Sequence, residues 1–332
     1  MKIQLLAFTQ AGFALAQMLA EGLNGQAFRC GKGCTLSQWT KENFCTDFGL
    51  VFVGAAGIAV RAIAPHIKHK TTDPAVVVVD EGGQFVIPIL SGHLGGANDL
   101  ARSIAQRCGG TPVITTATDV NGLFSVDQWA RVQGLWVENP AKIKEISAGI
   151  LNGETISIYS DYPIWGTPPR GIVLAQKEDC DVCVTAYRPT GRWLKLIPKV
   201  AVLGVGCRRG TSKEHLEQAF YELLAQENMS AQSVYKVCSI DLKGNEDGLL
   251  AFCNEHNLPF ETYSAQALSD LEGEFTSSAF VQQVTGVDNV CQRSAVLGSG
   301  GGTLLGKKYQ NNGVTMALAL RDFTLSWRCG HG

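Results

Sequence analysis

Residues 91–108 read SGHLGGANDLARSIAQRC, and this stretch decides the fold. Ala97, Leu100, Ala101, Ile104, Ala105 and Cys108 recur at helical spacing, while Asp99, Arg102, Ser103, Gln106 and Arg107 fall on the opposite side. The pattern predicts an amphipathic helix, closed by Gly109-Gly110. FVIPIL leads in as a strand. Between strand and helix, Gly92, Gly95 and Gly96 let a ligand approach the backbone, and the loop carries His93. The unpaired N–H groups of the first helical turn attract an anion. A strand, a glycine loop with one His and a helix start is one way an α/β protein presents a ligand site. The plainer alternative is an ordinary strand-to-helix connection with His93 as a surface group.

Working outward, KIQLLAF, LVFVG and AVVVVD read as strands, and residues 12–23 as a helix. Gly54-Ala55-Ala56-Gly57 carries LVFVG into the helix IAVRAIAPHI. Pro88 within FVIPIL points to an edge strand or a bulge. TPVITTAT is the next strand, so the first part alternates β and α around a mostly parallel sheet. Near Leu135 the pattern changes. Asn139-Pro140 reads as a helix start and Asn152-Gly153 as its stop, followed by the short strand-like runs TISIYS, GIVLAQ and VCVTA. Alternation resumes at Lys199. VAVLGVG is a strand, Thr211 and Glu214 form a capping box for a helix over 212–225, Asp288 caps NVCQRSAVL, and GTLLG and VTMALAL are late strands. The expected fold class is α/β. Two mostly parallel α/β domains, 1–134 and 199–325, are joined by a small α+β middle module, 135–198.

Composition narrows the function. A chain of 332 residues is long for one core. With 45% hydrophobic and 17% charged residues it suits a compact globule. A net charge of −2 and no basic block argue against nucleic acid. No run approaches the ~20 apolar residues of a membrane span. Gln4, Gln10 and Gln17 interrupt the opening stretch as a signal peptide, so a cytoplasmic protein is expected. Eleven cysteines, an odd number, point to reduced thiols. Cys180 and Cys183 form a CxxC, and Cys30 and Cys34 lie near Cys45, but no second matching pair makes a zinc site. GVGCRRG misses the dinucleotide fingerprint by one residue, and GGTLLGKK lacks the Ser or Thr of a phosphate loop. What remains is cationic: Arg208 and Arg209 in a strand-to-helix loop beside Gly206, and Arg61 on the helix after Gly57. A ligand bearing several carboxylates, lying between the two α/β domains, would use them all.

GLVFVGAAGIAVRAIAP, DEGGQFVIPILSGHLGGANDLA, LGVGCRRGTS and TGVDNVCQRSAVL, followed by GGTLL and NGVT, resemble the cobalt-precorrin-5A hydrolase family of anaerobic cobalamin biosynthesis, CbiG. The resemblance covers nearly the whole chain, and the C-terminal part alone is similar to a protein of the aerobic pathway. It implies a cobalt-containing tetrapyrrole substrate whose ring A acetate closes a δ-lactone. Water opens the lactone, the bridge carbon leaves with its methyl as acetaldehyde, and the ring contracts. The cobalt belongs to the substrate, so no protein cofactor or metal is expected. Hand-over to neighbouring pathway methyltransferases fits such a role. The chemistry needs a base, with His93 first and Asp80 or Glu81 as alternatives. It needs donors for an oxyanion, which the N–H groups of residues 92–98 could supply. It needs cations for the peripheral carboxylates: Arg61, Arg208 and Arg209. Asn98 and Asn289 are further candidates to hydrogen-bond substrate. The competing class is a non-catalytic tetrapyrrole-binding or scaffold protein.

Overall fold

The computed structural model describes residues 1–31, 33–69, 72–188 and 191–329. The N-terminal domain runs β1 (Lys2–Ala7), α1 (Gln10–Leu23), β2 (Gln26–Arg29), α2 (Leu36–Asn43), β3 (Phe48–Val53), α3 (Ala56–Ile63), β4 (Ala75–Val79), β5 (Phe85–Leu90), α4 (Ala97–Cys108), β6 (Thr111–Pro112) and α5 (Ala117–Val120). Its sheet has the order β2-β1-β3-β4-β5-β6. The first four strands are parallel, but β5 returns antiparallel to β4 in a hairpin. Strands buried on both faces explain the near-continuous apolar runs: all five residues of AVVVV are buried. Alternate side chains feed two cores. Leu5, Val51 and Val77 pack under α1 and α4, and Leu6, Phe52 and Val78 pack under α2 and α3. The β4–β5 register slips between Val76 and Val77, and Pro88 is paired with Val77 at this irregularity.

The middle module holds α6 (Val126–Val132), β7 (Leu135–Val137), α7 (Ile143–Leu151), β8 (Ile156–Ser160), β9 (Ile164–Trp165), β10 (Ile172–Leu174), β11 (Val182–Val184) and β12 (Leu194–Pro198). Its sheet order is β10-β8-β11-β12-β7, parallel except for β7. The C-terminal domain holds β13 (Ala201–Cys207), α8 (Lys213–Gln226), β14 (Val234–Ile240), α9 (Asp247–Glu255), β15 (Phe260–Tyr263), α10 (Ala265–Ser269), α11 (Ala279–Thr285), α12 (Val290–Gly298), β16 (Thr303–Asn311) and β17 (Val314–Leu320). Here the order is β15-β14-β13-β17-β16, with β13, β14 and β15 parallel and the β16–β17 hairpin antiparallel. Gly204 is required where α12 lies on β13: a Cβ there would sit 1.8 Å from the Cys291 carbonyl oxygen.

Several expectations from sequence shift. TPVITTAT yields only the two-residue β6; Val113 donates one further bond to Val86, and the chain then turns away. The cap of α8 is Ser212, not Thr211, and it accepts from His215 N. The cap of α12 is Asn289, whose oxygen accepts from Gln292 N, while Asp288 pairs with Arg293. Asn139 stands at the N-cap position of a 3-10 turn, Pro140–Lys142, but its side chain makes no cap bond. It clamps the loop before β12, donating to the Trp193 carbonyl and accepting from Lys195 N, and α7 starts after a 3-10 turn. The largest difference is in the module boundaries. Trp129 of α6 is buried in the middle core and not in the N-terminal one. The run after Arg321 also returns there: β18 (Leu325–Ser326) pairs with β9, and Trp327 stacks on Trp129 at 5.6 Å between ring centroids. Trp129 Nε1 donates to the Ser326 carbonyl. Truncating so large a buried ring, Trp129→Ala, should cost about 3–5 kcal/mol of unfolding free energy in urea titrations. Trp327→Ala should cost less because Trp327 is only half-buried.

Candidate functional site

His93 lies in the 91–96 loop between β5 and α4. Because β5 runs antiparallel to its neighbour β4, this loop emerges at the edge where the parallel strands begin, not where they end. The loop folds on itself. Gly96 N donates to the His93 carbonyl, Ala97 N to Ser91 and Asn98 N to Gly92. Gly95 must be glycine, since a Cβ would meet Ser91 Cβ at 2.4 Å. Three N–H groups expected to hold an oxyanion are therefore spent on the loop's own carbonyls.

The imidazole is buried in the seam between the N-terminal domain and α6. Its Nε2 is 2.7 Å from Asp119 Oδ2, and its Nδ1 is 3.2 Å from Asp127 Oδ1 and 3.1 Å from Ser125 Oγ. Asn98, 2% exposed, donates from its amide nitrogen to Asp119 Oδ2 and Thr116 Oγ1, so that nitrogen is spent on positioning Asp119. Arg102 bridges Asp119 and Asp99. Arg131 of α6 pairs with Asp99 and donates to the His93 carbonyl. With His93 protonated, His93, Arg102 and Arg131 balance Asp99, Asp119 and Asp127; with His93 neutral, an excess negative charge is left in a poorly solvated place. Burial alone would lower the His93 pKa, but the hydrogen bonds and charges of Asp127 and Asp119 outweigh it and hold it above 6.5. Burial acts to raise the carboxyls of Asp119 and Asp127, yet the His93 contacts, with Arg102 for Asp119, hold both below 3.8.

This arrangement changes the role of His93. A general base needs a free lone pair, and both ring nitrogens face carboxylates. The chain of contacts Ser125–His93–Asp119 has the connectivity of a nucleophilic triad. Ser125, however, is 4% exposed and gives its proton to Asp127 Oδ1. The open group is Asp127 Oδ2, which has no hydrogen-bond partner among the described residues. Asp127 lines a hollow of ≈ 280 Å³ together with Leu90, Gly92, His93, Asn98 and Thr116. The sequence reading missed Asp119 and Asp127 because both sit in or beside very short helices with no motif linking them to His93.

The other expected residues lie elsewhere. Asp80 accepts from Gly82 N and Phe85 N and caps the β4–β5 turn, and Glu81 accepts from Thr9. That turn is at the opposite end of β5 from His93, about 20 Å away at ~3.3 Å per residue, so neither can replace His93 in this hollow. Gly57 and exposed Arg61 lie on α3, after the C-terminal end of β3, and belong to that far edge. Gly206, Arg208, Arg209 and Asn289 line a larger cleft of ≈ 530 Å³ in the C-terminal domain, with Lys243 and Lys308. Asn289 is 3% exposed and its amide is spent on Thr276, Gln292 and the helix cap. The expected single site between the two α/β domains is thus divided. All residues lining the cleft come from the C-terminal domain, and none of them lines the His93 hollow.

Comparison with known proteins covers all three parts. Family models described as Cobalamin synthesis G N-terminal, Cobalamin biosynthesis central region and Cobalamin synthesis G C-terminus match residues 38–119, 124–198 and 201–319. A Salmonella typhimurium protein named cobalt-precorrin-5A hydrolase is 34% identical over 344 residues, covering 96% of this chain and 97% of the relative. One of the same name from Priestia megaterium is 34% identical over 295 residues, covering 82% and 78%. The crystal structure of a cobalamin biosynthesis protein G homolog from Sulfolobus solfataricus covers 97% of both chains at 21% identity, with a TM-score of 0.43.

The seam should respond to pH. The raised His93 pKa contributes stability that is full below about 6.5 and is lost as pH climbs through the folded value. The lowered pKa values of Asp119 and Asp127 contribute above about 3.8 and are lost as pH falls through theirs. His93→Gln should therefore be less stable than the parent in mildly acidic solution, and the gap should narrow toward alkaline pH. Urea unfolding across that range checks this; a gap independent of pH would show that His93 is not charged in the folded protein.

Proposed function

The chain belongs to the cobalamin synthesis G family of cobalt-precorrin-5A hydrolases, and from that premise we propose that the His93 hollow is where it opens the lactone of its substrate. The protein is a hydrolase of cobalt-precorrin-5A. One observation carries the placement: a buried acid–base cluster, with a single unpartnered carboxylate oxygen, faces a hollow at a domain seam.

Asp127 Oδ2 holds the attacking water and takes its proton as the water oxygen bonds to the lactone carbonyl carbon. The adjacent imidazolium, anchored by Asp119, favours the negative charge that develops on the carbonyl oxygen. Collapse breaks the ring C–O bond, and the proton on Asp127 passes to the departing alkoxide. Asp127, now a carboxylate again, takes the proton of that hydroxyl; the carbonyl of acetaldehyde forms as the bond between the bridge carbon and the macrocycle breaks, and the electron pair left on the macrocycle carbon takes the proton back from Asp127. His93 is thus a fixed positive charge in this scheme and Asp127 the base. Asn98 and Arg102 position Asp119. Asp80 and Glu81 have no part. The ≈ 280 Å³ hollow accommodates the lactone edge and leaves most of the macrocycle outside it. The cobalt travels with the substrate, and the scheme asks for no resident cofactor. Among the described residues no helix is long and apolar enough to cross a membrane. In this reading the reaction takes place in the cytoplasm, with the product passed on to pathway methyltransferases.

Asp127→Asn keeps the shape and removes the base. Turnover should fall ~10²–10⁴-fold, read as acetaldehyde release from cobalt-precorrin-5A, with unchanged far-UV circular dichroism. His93→Ala should lose ~10²-fold or more. A folded Asp127→Asn protein with parental turnover would remove the chemistry from this hollow.

A further inference from the structure

The C-terminal cleft is not needed by that chemistry, yet it is built for a ligand. Arg208 and Arg209 leave the end of β13, and Lys308 reaches the cleft from β16. None of the three forms an ion pair or side-chain hydrogen bond among the described residues. The other charges of the cleft are already neutralised: Lys243 pairs with Glu246, and Asp288 pairs with Arg293 and accepts from Ser277. The unbalanced charge is therefore positive. Below it the walls are apolar, with Ile240, Val281 and Val290, and the rim holds Leu242, Phe280 and Val284, which are 66%, 72% and 61% exposed. Large apolar side chains gathered in water at one mouth mark a contact surface. An apolar floor under unpaired cations fits a flat, largely apolar ligand with carboxylates at its edge.

The position of the cleft separates it from the His93 hollow. The middle module docks on residues 228–233, through Ser230 N to the Ala186 carbonyl, Arg188 N to the Asn228 carbonyl and the Tyr187–Met229 bridge. Those residues precede β14, so the module covers the edge where β13 and β14 begin. The cleft opens where they end, about 20 Å further on for the seven residues of β13. Among the described residues no hydrogen bond or ion pair joins the N-terminal and C-terminal domains.

We infer that the C-terminal domain carries a second docking place for the tetrapyrrole polycarboxylate, remote from the lactone chemistry, where the macrocycle is held before or after turnover. The identity of the ligand rests on the substrate class proposed above. Charge-assisted hydrogen bonds from Arg208 and Lys308 grip peripheral carboxylates, and the apolar floor takes the face of the ring.

Uroporphyrin, a metal-free tetrapyrrole carboxylic acid, serves as the probe, titrated into the full-length protein and followed by its absorbance and fluorescence. Arg208→Ala and Lys308→Ala should each weaken binding about tenfold or more, less so in high salt. Asp127→Asn should bind the probe as the parent does. Parental affinity in both cation variants would overturn the inference, and so would equal loss of binding in Asp127→Asn, which would place the probe in the His93 hollow. Probe binding that depends on Arg208 and Lys308, in a parent protein that releases no acetaldehyde from cobalt-precorrin-5A, would support the docking place while overturning the hydrolase reading.

Discussion

An imidazole between two carboxylates from different parts of the chain is the centre of the polar network that joins the N-terminal domain to the middle module, with Arg131 beside it. Asp119 belongs to the first and Asp127 to the second, and His93 satisfies both. Removing His93 leaves the Asp127 carboxylate in a poorly solvated place with no cationic partner, which costs far more than the pair contributes over an apolar substitute. The loop that presents His93 is held by three of its own hydrogen bonds, from Gly96, Ala97 and Asn98 N, and by the close approach of Gly95 to Ser91. Those bonds fix where the imidazole stands at the seam between two separately built cores.

The sequence made the architecture readable where periodicity was strong. The helix over 97–108 ends at Gly109 in the left-handed conformation, as the pattern required. AVVVV and the β13 run are buried strands. Shorter elements were not readable. β12 and β7 complete the middle sheet through pairing with distant partners, and no local pattern announces them. One-residue differences at the caps of α8 and α12 have a common cause: adjacent polar residues, Thr211-Ser212 and Asp288-Asn289, are equally able to cap, and packing decides between them.

The candidate site was legible by residue type and illegible by place. His93 and the Arg208-Arg209 pair were found because a lone His in a glycine loop and paired arginines after a strand are chemically conspicuous. That they face different hollows depends on strand direction. A hairpin between β4 and β5 reverses one strand, which moves the glycine loop to the opposite edge of the sheet from Gly57, Arg61, Asp80 and Glu81. Hydrophobic pattern carries no sign for direction, so a sheet read as wholly parallel puts the loop with them.

The return of β18 and Trp327 to the middle module has a bearing on how the chain is made. On the ribosome the N-terminal domain can fold as soon as its strands emerge. The middle module cannot be sealed until the segment beyond the C-terminal domain has also been synthesised, so its Trp129 face stays open through that interval. The C-terminal domain is a long loop to close before the last contact forms, and a closure of that kind costs entropy that grows only slowly with length. Cooperativity across the three parts is therefore acquired only after residues 325–327 have been made, and that segment acts as the latch.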